Sequence, residues 1–249
     1  DKIEAWADPK FHELVESFSQ DRSNDLQRFC HMLTLQRSKS SLNLNDMDYS
    51  ILEASEQFTF LMAEWFRVKH AGRAADIIQN PKSSIGLSSP RTELIPARLF
   101  KLLGAVCEMH GSQFNSLFSE SGLPYREAGL ATEDCHPRYV ACLLRLGDLL
   151  DMDDNRFCPV MMGIAGENRP DMSKAHEAKH AGITHLRIDR DRIEMSSECS
   201  SIDSYLEAYN WTKWIEEEIQ NQMAHWGDIV PSRDFGPLPT LGDCKVSLA

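Results

Sequence analysis

The chain has 249 residues, 42% hydrophobic and 26% charged, a composition that suits one large globular domain with a buried core. It holds no apolar run of about 18 residues, which excludes a membrane-spanning helix. With 26 basic against 38 acidic residues the net charge is −12. That balance argues against a broad cationic face for duplex nucleic acid, but not against a nuclease whose divalent metals hold the phosphate.

The opening Asp1-Lys2-Ile3-Glu4 shows no initiator Met, basic stretch or apolar leader, so the sequence reads as a fragment. Residues 10 to 36 form an expected amphipathic helix, with Phe11, Leu14, Val15 and Phe18 on one face. A polar stretch at 38 to 45 reads as a loop. A second helix is expected from about Tyr49 to Gln79, where Phe58, Leu61, Met62, Trp65 and Phe66 recur at three and four. Asn80-Pro81 ends it, and a Ser- and Gly-rich loop to Pro90 follows.

Further helices are expected from about Glu93 to Glu108 and from about Pro137 to Met152, with an irregular polar segment at 111 to 134 between them. From Ile183 the period changes to two, which predicts a short hairpin over about 184 to 196. Residues 202 to 224 return to a helical pattern, with Glu216-Glu217-Glu218 as its solvated face and Trp211 and Trp214 as core or interface residues, as is Trp226 beyond them. The Pro- and Gly-rich tail from Gly227 is expected to lie over the surface. The seven cysteines are odd in number, widely spaced and without a C-x-x-C pair. Reduced thiols in a cytoplasmic protein fit them better than disulfides or a zinc ribbon. The expected fold class is therefore all-α with one short β-hairpin, as a single domain over 1–249 with its core at about 46–158.

Three polar residues interrupt apolar helical patterns: His70, His110 and Asp148. An aspartate among leucines is costly to bury unless it is paired or coordinates a metal. Imidazoles and a carboxylate converging from separate helices are a common way to build a divalent-metal site in a helical core. The blander readings are a capping or core role for each histidine and an ion pair of Asp148 with Arg145 or Arg156.

In chain order these residues resemble the HD metal-dependent phosphohydrolase superfamily. The stretch from Leu144 to Phe157 (LRLGDLLDMDDNRF) is similar to its last motif, a helix with a Gly-Asp pair and a second acid one turn on. Phe66 to Ala75 (FRVKHAGRAA) is similar to a His-x-x-Arg segment, and Cys107 to Gly111 (CEMHG) to a helix ending in His. The likeness is nearest to HD domains found beside Hsp90-like ATPases and in bacterial conflict systems. It implies an HD-type helical bundle and hydrolysis of a nucleotide or nucleic-acid phosphate ester. It also implies a divalent metal (Mn, Mg, Fe, Zn or Ni) at Asp148, His70 and His110, which would be the catalytic residues. Arg73, Lys69 and Asp151 are the expected substrate-binding residues. The implied partners are a small nucleotide or single-stranded nucleic acid and an Hsp90-like ATPase domain, with no membrane.

The His-Asp pair that names the superfamily is absent from all 249 residues. Either it lies outside the fragment, with Asp1 as its possible second half and a metal ligand, or the domain is a degenerate regulatory module. A rival is the literal H-E-x-x-H of His176-Glu177-Ala178-Lys179-His180, a zinc-metalloprotease pattern with His185 downstream. Its polar window argues against the packed helix such a site requires.

Overall fold

The computed structural model describes residues 9, 59–60, 62–63, 65–67, 69–87, 97–130, 133–152, 157–165, 169 and 171–249. The expected helix at 10–36 and the loop at 38–45 lie outside them, as do Asp1 and Arg156. The chain divides into two compact units, Asp1–Lys69 with Cys158–Lys174, and His70–Phe157 with Ala175–Ala249. In the first, Met62 and Trp65 are buried and the Lys69 ammonium sits 4.7 Å from the centre of the Trp65 ring. This unit also holds α5 (Pro159–Ala165).

The second unit opens with α1 (His70–Gln79), which ends at Asn80 as its proline neighbour dictates. The expected loop is instead partly a short helix, α2 (Pro81–Ile85), because proline at a first helical position is already set for the helix and lacks only an N–H that would go unused. Next come α3 (Ala97–His110), a 3-10 turn at Phe114–Phe118 and a small antiparallel pair, β1 (Glu127–Leu130) and β2 (Glu133–Cys135). The segment expected to be irregular thus carries Phe114, Leu117 and Leu123 into a core cluster with Val106, Ala141, Cys142 and Ile229.

Helix α4 (Pro137–Leu150) buries Pro137, Ala141, Cys142, Arg145, Leu146 and Leu149, a stripe at helical spacing. After it, α6 (Asp171–Ala181), which belongs to this second unit from Ala175 on, leads into β3 (Ile183–Ile188) and β4 (Arg192–Cys199), the expected hairpin. Helix α7 (Ile202–Ala224) begins at a reciprocal cap between Ser201 and Ser204. A short turn, α8 (Trp226–Ile229), precedes β5 (Thr240–Leu248).

β5 overturns the reading of the tail. It pairs parallel to β4, so the sheet has three strands in the order β3-β4-β5. The register slips between Leu241 and Cys244, where a Cβ on Gly242 would lie 3.2 Å from the Ile193 carbonyl. The alternation of Cys244, Val246 and Leu248 was the sequence signal for this strand, masked by the Pro- and Gly-rich approach to it. On the inner face of β4, Ile193 and Met195 form a second cluster with Leu146, Leu149, Met152, Ile215 and Ile219. The all-α expectation is therefore wrong. The described residues combine helices with five strands in two sheets, because a short apolar hairpin is marginal alone and gains stability from a third strand and a covering helix.

Candidate functional site

Helices α1 and α3 pack antiparallel, with a glycine of α3 or its end facing each end of α1, and the contact at Gly111 is the one that sets their approach. A Cβ on Gly111 would lie 2.8 Å from the Ala71 Cβ, and one on Gly104 would lie 2.7 Å from the Gln79 side-chain nitrogen. Gly111 follows His110, and Ala71 follows His70. The close approach therefore brings the two imidazoles together, Nε2 to Nε2 at 3.0 Å, with ring centres 4.9 Å apart. His70 is exposed and His110 half-buried.

The tautomer of His110 follows from its other nitrogen. Nδ1 is hydrogen-bonded to the Cys107 carbonyl, which can only accept, so Nδ1 carries a proton. In the neutral ring, Nε2 then presents its lone pair to His70. Burial pushes the neighbouring Cys107 thiol up from its ordinary value, which keeps it protonated.

The end of α3 is held from below by Arg145 of α4. Its Nη1 donates to the carbonyls of Met109 (3.2 Å), His110 (3.0 Å) and Ser112 (2.6 Å). Its Nε and Nη2 each meet one oxygen of Glu218 on α7 at 2.8 Å. Gln222 completes the network, donating to Glu218 at 2.8 Å and to the Cys142 carbonyl at 3.0 Å. One alternative reading and one expectation fall here. Arg145 pairs with Glu218 and not with Asp148, and Glu218, 2% exposed, is not part of a solvated face. A run of three glutamates spans 200° of helix, so one of them can point inward while its neighbours face water.

Asp148 is exposed, so the cost of burial that singled it out does not apply to it. The buried stripe of α4 passes through Arg145, Leu146 and Leu149, which leaves Leu143, Leu144, Gly147 and Asp148 on the outer side. Asp148 lies one turn beyond Arg145, whose guanidinium touches the His110 carbonyl. Asp151 is also exposed and lines a shallow groove of about 470 Å³ with Leu150, Thr184, His185 and Leu186, among others. Arg73 stands one turn after His70 on α1 and is half-buried, whereas Lys69 belongs to the first unit.

The H-E-x-x-H segment does lie on a helix, α6, with the His176 and His180 rings 4.9 Å apart. Contrary to its polar sequence, the segment is packed. Lys179 and His180 are each 1% exposed, and the Lys179 ammonium lies 3.4 Å from the centre of the Trp211 ring. Phe157 meets both histidines edge-on, and His176 Nδ1 lies 3.3 Å from Glu207. Long lysine stems and imidazoles pack well on aromatic rings, which is why residue polarity misled here. Trp211 is half-buried and donates to the Leu149 carbonyl, while Trp214 is 52% exposed and so is not a core residue.

A divalent metal can be tested against these donors. Two nitrogens each about 2.0–2.1 Å from one cation stand about 2.8–3.4 Å apart at right or tetrahedral angles, so the His70–His110 spacing of 3.0 Å fits. Among the described residues no group of three or more His, Cys, Asp or Glu side chains is arranged to hold a metal, so the pair fits as part of a site. Among them, too, no helix is long and apolar enough to cross a membrane.

A family model described as HD-CE matches residues 2–221, and the chain belongs to that family. No curated protein and no solved structure matches it significantly.

Proposed function

From membership of the HD-CE family we infer a metal-dependent phosphohydrolase acting on a nucleotide or nucleic-acid phosphate ester. The observation that carries the reading is the His70–His110 pair, two imidazoles from separate helices at chelating distance. His70 and His110 would hold the cation as part of its donor set, whereas Asp148, exposed on α4, is not grouped with them in the structure. A bound divalent metal would supply charge neutralisation on the phosphoryl group and a water of lowered pKa.

The protein's own groups divide the remaining work. His110 offers Nε2 because the Cys107 carbonyl engages Nδ1. Arg73, one turn from His70, presents a guanidinium suited to two phosphate oxygens at once. Asp151, at the edge of the groove along β3, accepts a hydrogen bond from a sugar hydroxyl. The net charge of −12 favours a small nucleotide or a single strand over a duplex.

The test is a manganese-supplemented hydrolysis panel across nucleotides and single-stranded nucleic acid, using the chain and its His70→Ala and His110→Ala variants. Hydrolysis lost in both variants supports the reading. Metal binding that depends on both histidines without any turnover would instead identify a regulatory HD module.

A further inference from the structure

We infer that Arg145 is a positioning residue for His110, fixing the end of α3 so that the imidazole keeps one tautomer and aims Nε2 at His70. The inference rests on the reading of that histidine pair as metal donors, and it adds a buried residue that bonds to the backbone carbonyl of His110.

The last carbonyls of a helix have no partners within it. At the end of α3 three carbonyls, those of Met109, His110 and Ser112, converge on one guanidinium nitrogen. Among them is His110's own backbone carbonyl, so Arg145 sets where the residue's Cα and Cβ sit. Glu218 in turn fixes Arg145 through two bonds of 2.8 Å from a second helix, and Gln222 fixes Glu218. The guanidinium is therefore bonded from two sides, its planar fork serving carbonyls on one and a carboxylate on the other. The Cys107 carbonyl, which selects the His110 tautomer, belongs to the same final turn. Moving that turn would release Nδ1, and both nitrogens would then compete for the proton.

A simple core role for the Arg145–Glu218 pair would lower stability without touching the tautomer, so the experiment separates the two. Long-range nitrogen-15 spectra of the metal-free 249-residue chain report which His110 nitrogen is protonated, with His110→Gln giving the assignment. Arg145→Met combined with Glu218→Gln removes both charges while keeping volume. Arg145→Lys keeps the cation but replaces three bonding nitrogens with one. Ile193→Ala, in the sheet cluster, serves as the control of comparable stability loss.

The expected result is a single Nδ1-protonated signal in the unaltered chain and in the control, and a tautomer mixture in both Arg145 variants. Cobalt(II) affinity should fall about 10- to 100-fold in those variants, the usual effect of losing support behind a metal-binding histidine. A single Nδ1-protonated signal with cobalt affinity within about twofold, in either folded Arg145 variant, would overturn the inference. The tautomer is read without metal. Failure of the unaltered chain to bind cobalt therefore rejects the donor-pair reading and leaves the positioning result to be decided by the spectra.

Discussion

Arg145 and Glu218, seventy-three residues apart, form a two-bond ion pair at 2.8 Å in which the side chains are 9% and 2% exposed. Such a pair is expensive to break from one side, because the surviving charge stays buried without its partner. Glu218→Gln should therefore lower unfolding free energy by roughly 3–5 kcal/mol. Adding Arg145→Met should recover part of that loss, though not all, since three carbonyls at the end of α3 still lose their donor. Urea denaturation of the two variants checks this. A double variant at least as unstable as the sum of its singles would contradict it.

The glycine at the foot of the histidine pair gives a second expectation. Gly111→Ala places a methyl 2.8 Å from the Ala71 Cβ, closer than carbon atoms tolerate. Overpacking of this kind costs about 1–3 kcal/mol and should push the two imidazoles apart. Cobalt affinity is expected to fall with stability, and Ala71→Gly in the same chain should restore both. Thermal unfolding and a metal titration of the single and double variants measure the two effects.

Cys142 lies on the buried side of α4, close to the Arg145–Glu218 pair. Burial, then the nearby Glu218 charge, push its thiol up to about 12, against a smaller lowering by Arg145. The folded protein thus holds the thiol neutral at pH values where the unfolded chain ionises it. A raised folded value contributes stability that is complete below about pH 9 and lost as pH climbs from there towards 12. Cys142→Ala should flatten the alkaline arm of the stability profile. In native alkylation at pH 8, exposed Cys158 should react well ahead of buried Cys142.

The last strand should matter to folding more than its place at the end of the chain suggests. Removing residues 240–249 uncovers the full edge of β4 and strips Leu241, Cys244 and Val246 from the cluster around Ile193 and Met195. The apolar contacts of Leu241 and Val246 alone are worth on the order of 3 kcal/mol. A chain ending at Pro239 is expected to unfold at lower temperature and to self-associate through the open edge, as scanning calorimetry and light scattering would show. Unchanged melting would mean that β5 adds nothing.

Periodicity and punctuation alone located α3, α4, α7 and the β3–β4 hairpin, because each buries one regular face that the residue spacing displays. The order of His70, His110 and Asp148 along the chain also carried the family likeness. Which partner each polar residue takes was decided only by packing between elements distant in sequence. Asp148 stands among leucines yet faces water, because the core face of α4 runs through Arg145 and Leu149. Glu218 sits in an acidic run yet is buried, because Arg145 reaches it from another helix. Lys179 and His180 look solvated and are enclosed by aromatic rings, and β5 follows a loop-like approach and still completes the sheet. A one-dimensional pattern records which face of an element is apolar, but not which charge waits on the other side of the interface, and that charge determines whether a polar residue can be buried.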